Sequence, residues 1–304
     1  MGIPFDKLIG AVKKGAAVKK DSDEPVRVAV FVDASASPFL VDTVREALVP
    51  QTTSALVRVS RLDPAHIEVK PDTDVSIVLT CGSADLESAT QKVVVGGAPT
   101  VVVAESSVEA PFISVDTPML GLVAATDADY LREALARWIL DHTEKDTAFA
   151  ANFPFMRGAA ANGVITSTAI TNLATGAIEF IPGADFPVMT LAQLGMMLQL
   201  AMVYDKPLRP ERGYEAAGVV LSGLALRAIT RQLVKPVGRA GFLVKALVGG
   251  FGTYAMGQVL SEVYERDVDY TALNEALGRA VRTVRDLYAS ASGAGEAPAA
   301  DQAA

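Results

Sequence analysis

Residues 180–204 read FIPGADFPVMTLAQLGMMLQLAMVY, and this stretch decides the character of the second half of the chain. Pro182 and Gly183 break the preceding segment, and Asp185 is a suitable N-terminal cap for the helix that follows. No charged residue occurs over the nineteen positions 186–204. A helix that is apolar almost all round lies either in the centre of a helical bundle or in lipid. The pattern therefore predicts a central helix around which the second half packs.

The composition of the chain limits the classes of function. The sequence has 304 residues, which is enough for about two domains, and 50 % of them are apolar. The net charge of −8 argues against non-specific nucleic-acid binding by the chain as a whole. Cys81 is the only cysteine, which excludes an internal disulfide and fits a reducing compartment. Two distant histidines and one cysteine favour neither a metal site nor a catalytic thiol, so we expect no cofactor and no catalytic residue.

The first 24 residues form a basic segment with an apolar helical face. No secretory signal is recognisable in them, because an uninterrupted apolar core and a cleavage site are missing. Such segments can lie in a membrane interface, but a helix docked on its own protein and a frayed terminus fit the same pattern. The residues expected to contact a membrane or a partner here are Phe5, Leu8, Ile9, Val12, Lys13 and Lys14.

Residues 25–146 alternate between β-branched runs and segments with helical spacing. Strands are predicted at 26–32, 54–60, 74–80, 100–104 and 122–125, and helices at 38–49, 86–95 and 130–142. This alternation predicts a mostly parallel sheet covered by helices on both faces, in a Rossmann-like or flavodoxin-like α/β domain. Ligands of such domains bind beyond the carboxyl ends of the strands, so the loops at that edge decide the function.

The loop after the first strand, residues 33–38, lacks what a phosphate-binding loop requires. Such a loop needs glycines, whose backbone N–H groups can approach the phosphate, and a lysine to meet its charge. The loop reads DASASP and contains neither. Ser35 and Ser37, with the helix N-terminus that follows, form a weaker candidate anion site. The third and fourth strands end without a carboxylate cluster for Mg²⁺ or a base-reading motif. The sequence therefore predicts the architecture of a nucleotide-binding domain without its chemistry.

Residues 150–290 are predicted to form a compact helical bundle, followed at 291–304 by a disordered tail dominated by small residues. Small residues recur at every fourth position in two segments, and such ridges let neighbouring helices approach closely. The first ridge consists of Gly163, Ser167, Thr171 and Thr175, and the second of Gly249, Thr253 and Gly257. The fold class expected for the chain is therefore an α/β domain followed by an all-α module.

A basic stripe stands out in the second half. Between positions 206 and 245, eight basic residues stand against two acidic ones. The stripe on one helical face consists of Arg227, Arg231 and Lys235. It suits contact with anionic lipid headgroups or an acidic protein, although a solvated face near a helix C-terminus fits as well. The uncharged run at residues 186–204 is just long enough to cross a bilayer. Its polar residues Gln193 and Gln199 favour a soluble or peripheral bundle over insertion.

Several motifs of the helical half occur together. They are the Ile-Pro-Gly-Ala-Asp turn at 181–185, Gln193, Tyr204, and Gly252-Thr253 with Gly257. Over about residues 150–266 the chain resembles the YcjF-type domain of unknown function, which in its family often follows an Era-like GTPase domain. The resemblance implies a helical, often membrane-associated module without established catalytic residues. It also implies that the preceding domain is a degenerate GTPase-like scaffold, since the nucleotide motifs are missing from it.

From the sequence we expect a non-enzymatic cytoplasmic protein, peripheral to or partly inserted at the inner face of a membrane. In it a pseudo-GTPase-like domain is joined to a bundle that contacts the membrane or a partner. Two alternatives stay open: a nucleotide- or anion-binding sensor or enzyme that uses residues 33–37, and a soluble cytosolic interaction scaffold. The expected partners are an anionic membrane surface or an acidic protein, with self-association into a homo-oligomer as a further option, and no nucleic acid.

Overall fold

The computed structural model describes residues 23–177, 185–206, 218–223 and 241–266, together with positions 225, 228 and 230. The strands in these ranges are β1 (Val26–Val32), β2 (Ala55–Arg61), β3 (Val75–Leu79), β4 (Thr100–Ala104) and β5 (Leu120–Ala124). The helices named here are α1 (Pro38–Ala47), α2 (Leu86–Val95), α3 (Ala128–His142), α4 (Asp146–Asn152), α5 (Arg157–Ala177), α6 (Asp185–Val203) and α7 (Gly241–Glu265). An α/β unit followed by helices is the fold class that the sequence predicts, and it is confirmed. The ends of the predicted strands and α/β helices differ from the observed ones by at most two residues.

The five strands run parallel in the order β2-β1-β3-β4-β5. β3 and β4 are buried along their whole length, as expected for apolar runs in a sheet covered on both faces. Along β1 the side chains alternate: Val28 and Val30 pack with α1 and α3, whereas Ala29 and Phe31 pack with α2 on the opposite face. The strand order reverses between β1 and β3. The carboxyl ends of these two strands therefore form the edge at which doubly wound sheets bind ligands.

In the helical module α5 and α7 pack closely because glycines line their contact. A Cβ atom added at Gly176 would lie 2.9 Å from the Cα atom of Ala246, and one added at Gly257 would lie 2.7 Å from Cγ1 of Ile165. Gly249 is equally crowded, since an added Cβ would meet Cε of Met189 on α6 at 2.8 Å. The small-residue ridge predicted at 249, 253 and 257 thus faces the other two helices.

The prediction that the small-residue ridge on α5 packs against a neighbouring helix is wrong, because its residues face outward. Gly163, Ser167 and Thr171 are exposed, and Thr175 is half-buried. The hydroxyls of Thr171 and Thr175 donate to carbonyls one turn earlier, which satisfies them without a partner helix. The buried positions of α5 are instead Ala160, Ala161, Ile165, Ala169, Asn172 and Gly176. Two small-residue rows fit α5 equally well by spacing, and the apolar row is the one that packs inside.

One continuous set of buried side chains joins the α/β unit to the helical module. It extends from Val26 on β1 through Phe149 and Ile165 to Met196 and Tyr264. The boundary at about residue 150 that the sequence predicts falls within α4, and Phe149 of that helix belongs to this shared core. The two halves are therefore distinct in architecture but share one apolar interior.

Candidate functional site

Asp33 organises the carboxyl edge of the sheet where β1 and β3 end. Its Oδ2 atom accepts hydrogen bonds from Ser35 Oγ and Thr80 Oγ1, both at 2.7 Å. The two hydroxyls in turn accept backbone N–H groups, that of Cys81 at Ser35 Oγ and that of Gly82 at Thr80 Oγ1, each at 3.0 Å. One carboxylate and two hydroxyls therefore tie the loops after β1 and β3 together.

The Asp33 carboxyl group is buried, with 6 % of the residue exposed. Burial on its own raises the pKa of Asp33, but hydrogen bonds from Thr80, Ser35 and Ser83 together outweigh that effect and hold the pKa below its ordinary value. The side chain is therefore negatively charged at neutral pH. A fixed negative charge here repels a phosphate group, whereas the same edge of a nucleotide-binding sheet attracts one.

The loop after β4 closes the same edge from the other side. Gly82 has a φ of +86°, and a Cβ atom added to it would lie 3.3 Å from the carbonyl oxygen of Glu109. Glu109 ends a 3₁₀ turn, and its Oε2 atom accepts the backbone N–H groups of Glu105 at 3.0 Å and Ser106 at 3.2 Å. Backbone donors that could bind an anion at this loop are already paired with a carboxylate of the chain itself.

The two serines of the predicted anion site both have partners within the chain. Ser35 donates to Asp33, and Ser37 Oγ accepts the N–H group of Leu40 as the N-terminal cap of α1. An anion at this edge would have to displace these contacts and approach Asp33, so the geometry gives such a site little support. Within the described ranges, no group of three or more His, Cys, Asp or Glu side chains is arranged to hold a metal ion.

Large apolar side chains line the outer surface of α7. Leu243, Leu247, Phe251 and Tyr254 recur at helical spacing, and their exposed fractions range from 44 % at Tyr254 to 69 % at Phe251. Leu173 of α5 borders the row, because a Cβ atom added at the neighbouring Gly250 would lie 2.9 Å from its Cβ atom. We call this surface the apolar face, and it consists of Ile170, Leu173, Leu243, Leu247, Phe251 and Tyr254. Several large exposed apolar side chains on neighbouring helices make this surface a candidate interaction site.

The contact residues predicted from the sequence lie elsewhere in the chain. Phe5, Leu8, Ile9, Val12, Lys13 and Lys14, and the basic stripe of Arg227, Arg231 and Lys235, all lie outside the described residues. Their role stays a prediction. In the part of the chain that the structure describes, no helix combines the length and the hydropathy that crossing a membrane requires.

Three polar side chains meet inside the helical module. Thr253 Oγ1 accepts Asn172 Nδ2 at 2.8 Å and Gln193 Nε2 at 2.9 Å, and it donates to the carbonyl oxygen of Gly249 at 2.7 Å. Asn172 and Thr253 are fully buried, and Gln193 is 3 % exposed. We call Asn172, Gln193 and Thr253 the polar hub. It joins α5, α6 and α7 at a single oxygen atom.

Sequence reasoning does not identify either the polar hub or the apolar face. In the sequence, Gln193 stands out only as a polar residue in an apolar run and Thr253 only as a member of a small-residue ridge, and 60 positions separate them. Asn172 lies 81 positions from Thr253, so no local spacing connects the three. The only signal is the presence of uncharged polar side chains in otherwise apolar helices. The helical spacing of the apolar face does not single it out in the sequence, because α7 is rich in apolar residues on all sides.

No protein-family model matches this chain, and no curated protein matches it either. The resemblance of residues 150–266 to the YcjF-type domain therefore rests on the quoted motifs alone and stays a prediction.

Proposed function

We propose that this chain is a non-enzymatic protein whose helical module attaches to an anionic membrane surface, with the α/β unit as a pseudo-GTPase-like scaffold. The observation that carries the proposal is the apolar face on α5 and α7. Fully burying a Leu or Phe side chain is worth about 1.5–3 kcal/mol, so a row of them supplies a favourable free energy on entering a lipid interface. Tyr254 at the edge of the row suits the headgroup region, where amphipathic rings are favoured.

Charge supports an anionic surface as the partner. In the sequence, the segment that precedes α7 carries four basic residues: Arg227, Arg231, Lys235 and Arg239. Basic residues add about 1 kcal/mol each when they lie near an anionic membrane surface. The basic residues and the apolar face therefore favour the same partner, a lipid surface with negative headgroups.

The carboxyl edge of the sheet supports a scaffold role for the α/β unit. Its loops are held by Asp33 and Glu109, whose carboxylates take the hydroxyl and backbone donors that a phosphate group needs. Function in such folds depends on the residues at this edge and not on the fold itself. An edge occupied by the chain's own carboxylates fits a domain that holds the helical module in place without chemistry of its own.

The test is flotation of the full chain with phosphatidylcholine vesicles that contain or lack phosphatidylglycerol. We expect binding to the anionic vesicles, and about a tenfold loss or more in Leu247→Glu/Phe251→Glu, because charged side chains oppose entry into the interface. The matched control, Val59→Glu/Val95→Glu, adds the same charge at exposed positions of the α/β unit and should bind like the wild type. Equal losses in both pairs would contradict the proposal. Failure of the wild type to float would favour a cytosolic scaffold instead.

The alternative of a nucleotide or anion sensor at residues 33–37 has its own test. We expect no saturable thermal shift with GTP, ATP or cyclic nucleotides, because the negative charge of Asp33 at this edge of the sheet opposes a phosphate group. A saturable shift that Ser35→Ala abolishes would replace the proposed function with the sensor.

A further inference from the structure

The outer surface of α5 and α7 carries no charged residue over most of its length. α5 has none after Arg157, and α7 has none between Lys245 and Glu262. A helix at the surface of a protein ordinarily carries charged side chains on the side that faces water. Here that side carries the apolar face, next to the outward-facing small-residue ridge of α5. Depletion of charge is typical of the core of a protein–protein interface.

The absence of charge matters most when the partner is a second copy of the same chain. In a two-fold symmetric contact the same surface of both copies meets, so a charged residue near the axis would face its like. The apolar face has no such residue. Its most exposed side chain, Phe251, is 69 % exposed, and aromatic side chains are enriched among the residues that anchor interfaces. The face is therefore chemically compatible with a copy of itself.

The size of the apolar face sets how tightly two copies can associate. Its six side chains are between 41 % and 69 % exposed. With roughly 200 Å² for each complete side chain, one face offers about 600 Å², and two paired faces bury about 1,200 Å². Stable interfaces between proteins begin at about this total area. We therefore expect a dimer that forms and dissociates reversibly.

We propose that the apolar face is the contact surface of a homodimer, in which it packs against the same face of a second copy. α5 and α7 run antiparallel, because Gly176 approaches Ala246 whereas Gly257 approaches Ile165. Two such helix pairs, stacked face to face, form a four-helix arrangement that buries both faces. The dimer is a property of the chain in solution and does not require a membrane. Its effect on membrane attachment rests on the proposed function, because a copy whose face is paired cannot offer that face to lipid.

Sedimentation equilibrium of the full chain measures the association directly. We expect the mass to rise from that of a monomer towards that of a dimer between about 1 and 100 μM. Leu247→Glu/Phe251→Glu should weaken the dimer by about tenfold or more, because the contact would bring like charges together. The matched control, Val59→Glu/Val95→Glu, adds the same charges at exposed positions of the α/β unit and should associate like the wild type. A wild type that stays monomeric over this range would overturn the proposal, as would equal effects of the two pairs.

A chemical cross-link locates the contact and covers the case in which the glutamate variant of the face does not fold. In a Cys81→Ser background, Ala255→Cys places one thiol at an exposed position of α7, one turn after Phe251. Val95→Cys places one at an exposed position of the α/β unit. With a bis-maleimide that spans the about 8–10 Å between packed helices, we expect a dimer from Ala255→Cys and at least about fivefold less from Val95→Cys. Equal yields from the two variants would overturn the proposal.

Flotation of the cross-linked dimer separates this inference from the proposed function. We expect cross-linked Ala255→Cys to bind anionic vesicles about tenfold less than the same variant before cross-linking, because its apolar faces are covered. A cross-linked dimer that floats as well as the free protein would overturn the assignment of the face to the dimer. A wild type that dimerises but does not float contradicts only the proposed function. A wild type that floats but stays monomeric contradicts only this inference.

Discussion

Asp33 is the residue whose ionisation can be followed most directly. Its pKa is lowered in the folded chain, so it stabilises the fold above the unfolded-state pKa of about 3.9, and that contribution is lost as the pH falls through the folded value. Asp33→Asn should lower the free energy of unfolding by about 1–3 kcal/mol at neutral pH, because hydrogen bonds to a charged group are replaced. The difference from the wild type should shrink as the pH falls below the unfolded-state pKa and through the lower folded-state pKa. Urea unfolding at neutral pH and over a series of acid pH values measures it.

A surface carboxylate on α1 provides the control for Asp33. Asp42 pairs with Arg45 one turn along the helix, and both side chains are largely exposed. Asp42→Asn should change the free energy of unfolding by no more than about 0.5 kcal/mol, since exposed ion pairs contribute little. An Asp33→Asn effect as small as that of Asp42→Asn would mean that the carboxylate does not hold the loops after β1 and β3.

At the scale of elements, the contact between α5 and α7 depends on which glycines lie in it. Gly176→Ala places a methyl group 2.9 Å from the backbone of Ala246, so the helices must separate, and we expect a loss of about 1–3 kcal/mol in unfolding free energy. Gly163→Ala makes the same change at an exposed position of the same helix and should stabilise by up to about 1 kcal/mol, because alanine is the better helix former. Urea denaturation followed by circular dichroism measures both. Similar effects of the two substitutions would contradict the close approach.

At the scale of the whole molecule, the shared core predicts a single unfolding transition. Trp138 is the only tryptophan and lies on α3 in the α/β unit, so its fluorescence reports on that half. Circular dichroism at the helical minimum reports mainly on the long helices. Because buried residues from β1 to Tyr264 form one set, we expect the two signals to have the same urea midpoint, and Gly176→Ala to lower both together. Separate midpoints would mean that the halves unfold independently.

The sequence predicts the local structure of this chain well and its long-range contacts poorly. β-branched runs and segments with helical spacing are local signals, and the parallel α/β fold that they predict is confirmed. The orientation of α5 is not a local property, since its polar row of Ser167 and Thr171 and its apolar row have the same spacing. The links from Asp33 to Thr80 and from Asn172 to Thr253 join distant positions, and the same residue types in another register would make no such contact.

The dependence of α5 on α7 has a consequence for synthesis of the protein. α5 emerges from the ribosome well before α7, because residues 178–240 must be translated between them. Until α7 is made, the side chains that it later buries are exposed on α5 and α6. Ile165 and Met196 are among them. Such surface recruits chaperones and promotes aggregation. A product that terminates before residue 241 is therefore a substrate for quality control, and the folding of α7 decides whether α5 and α6 persist.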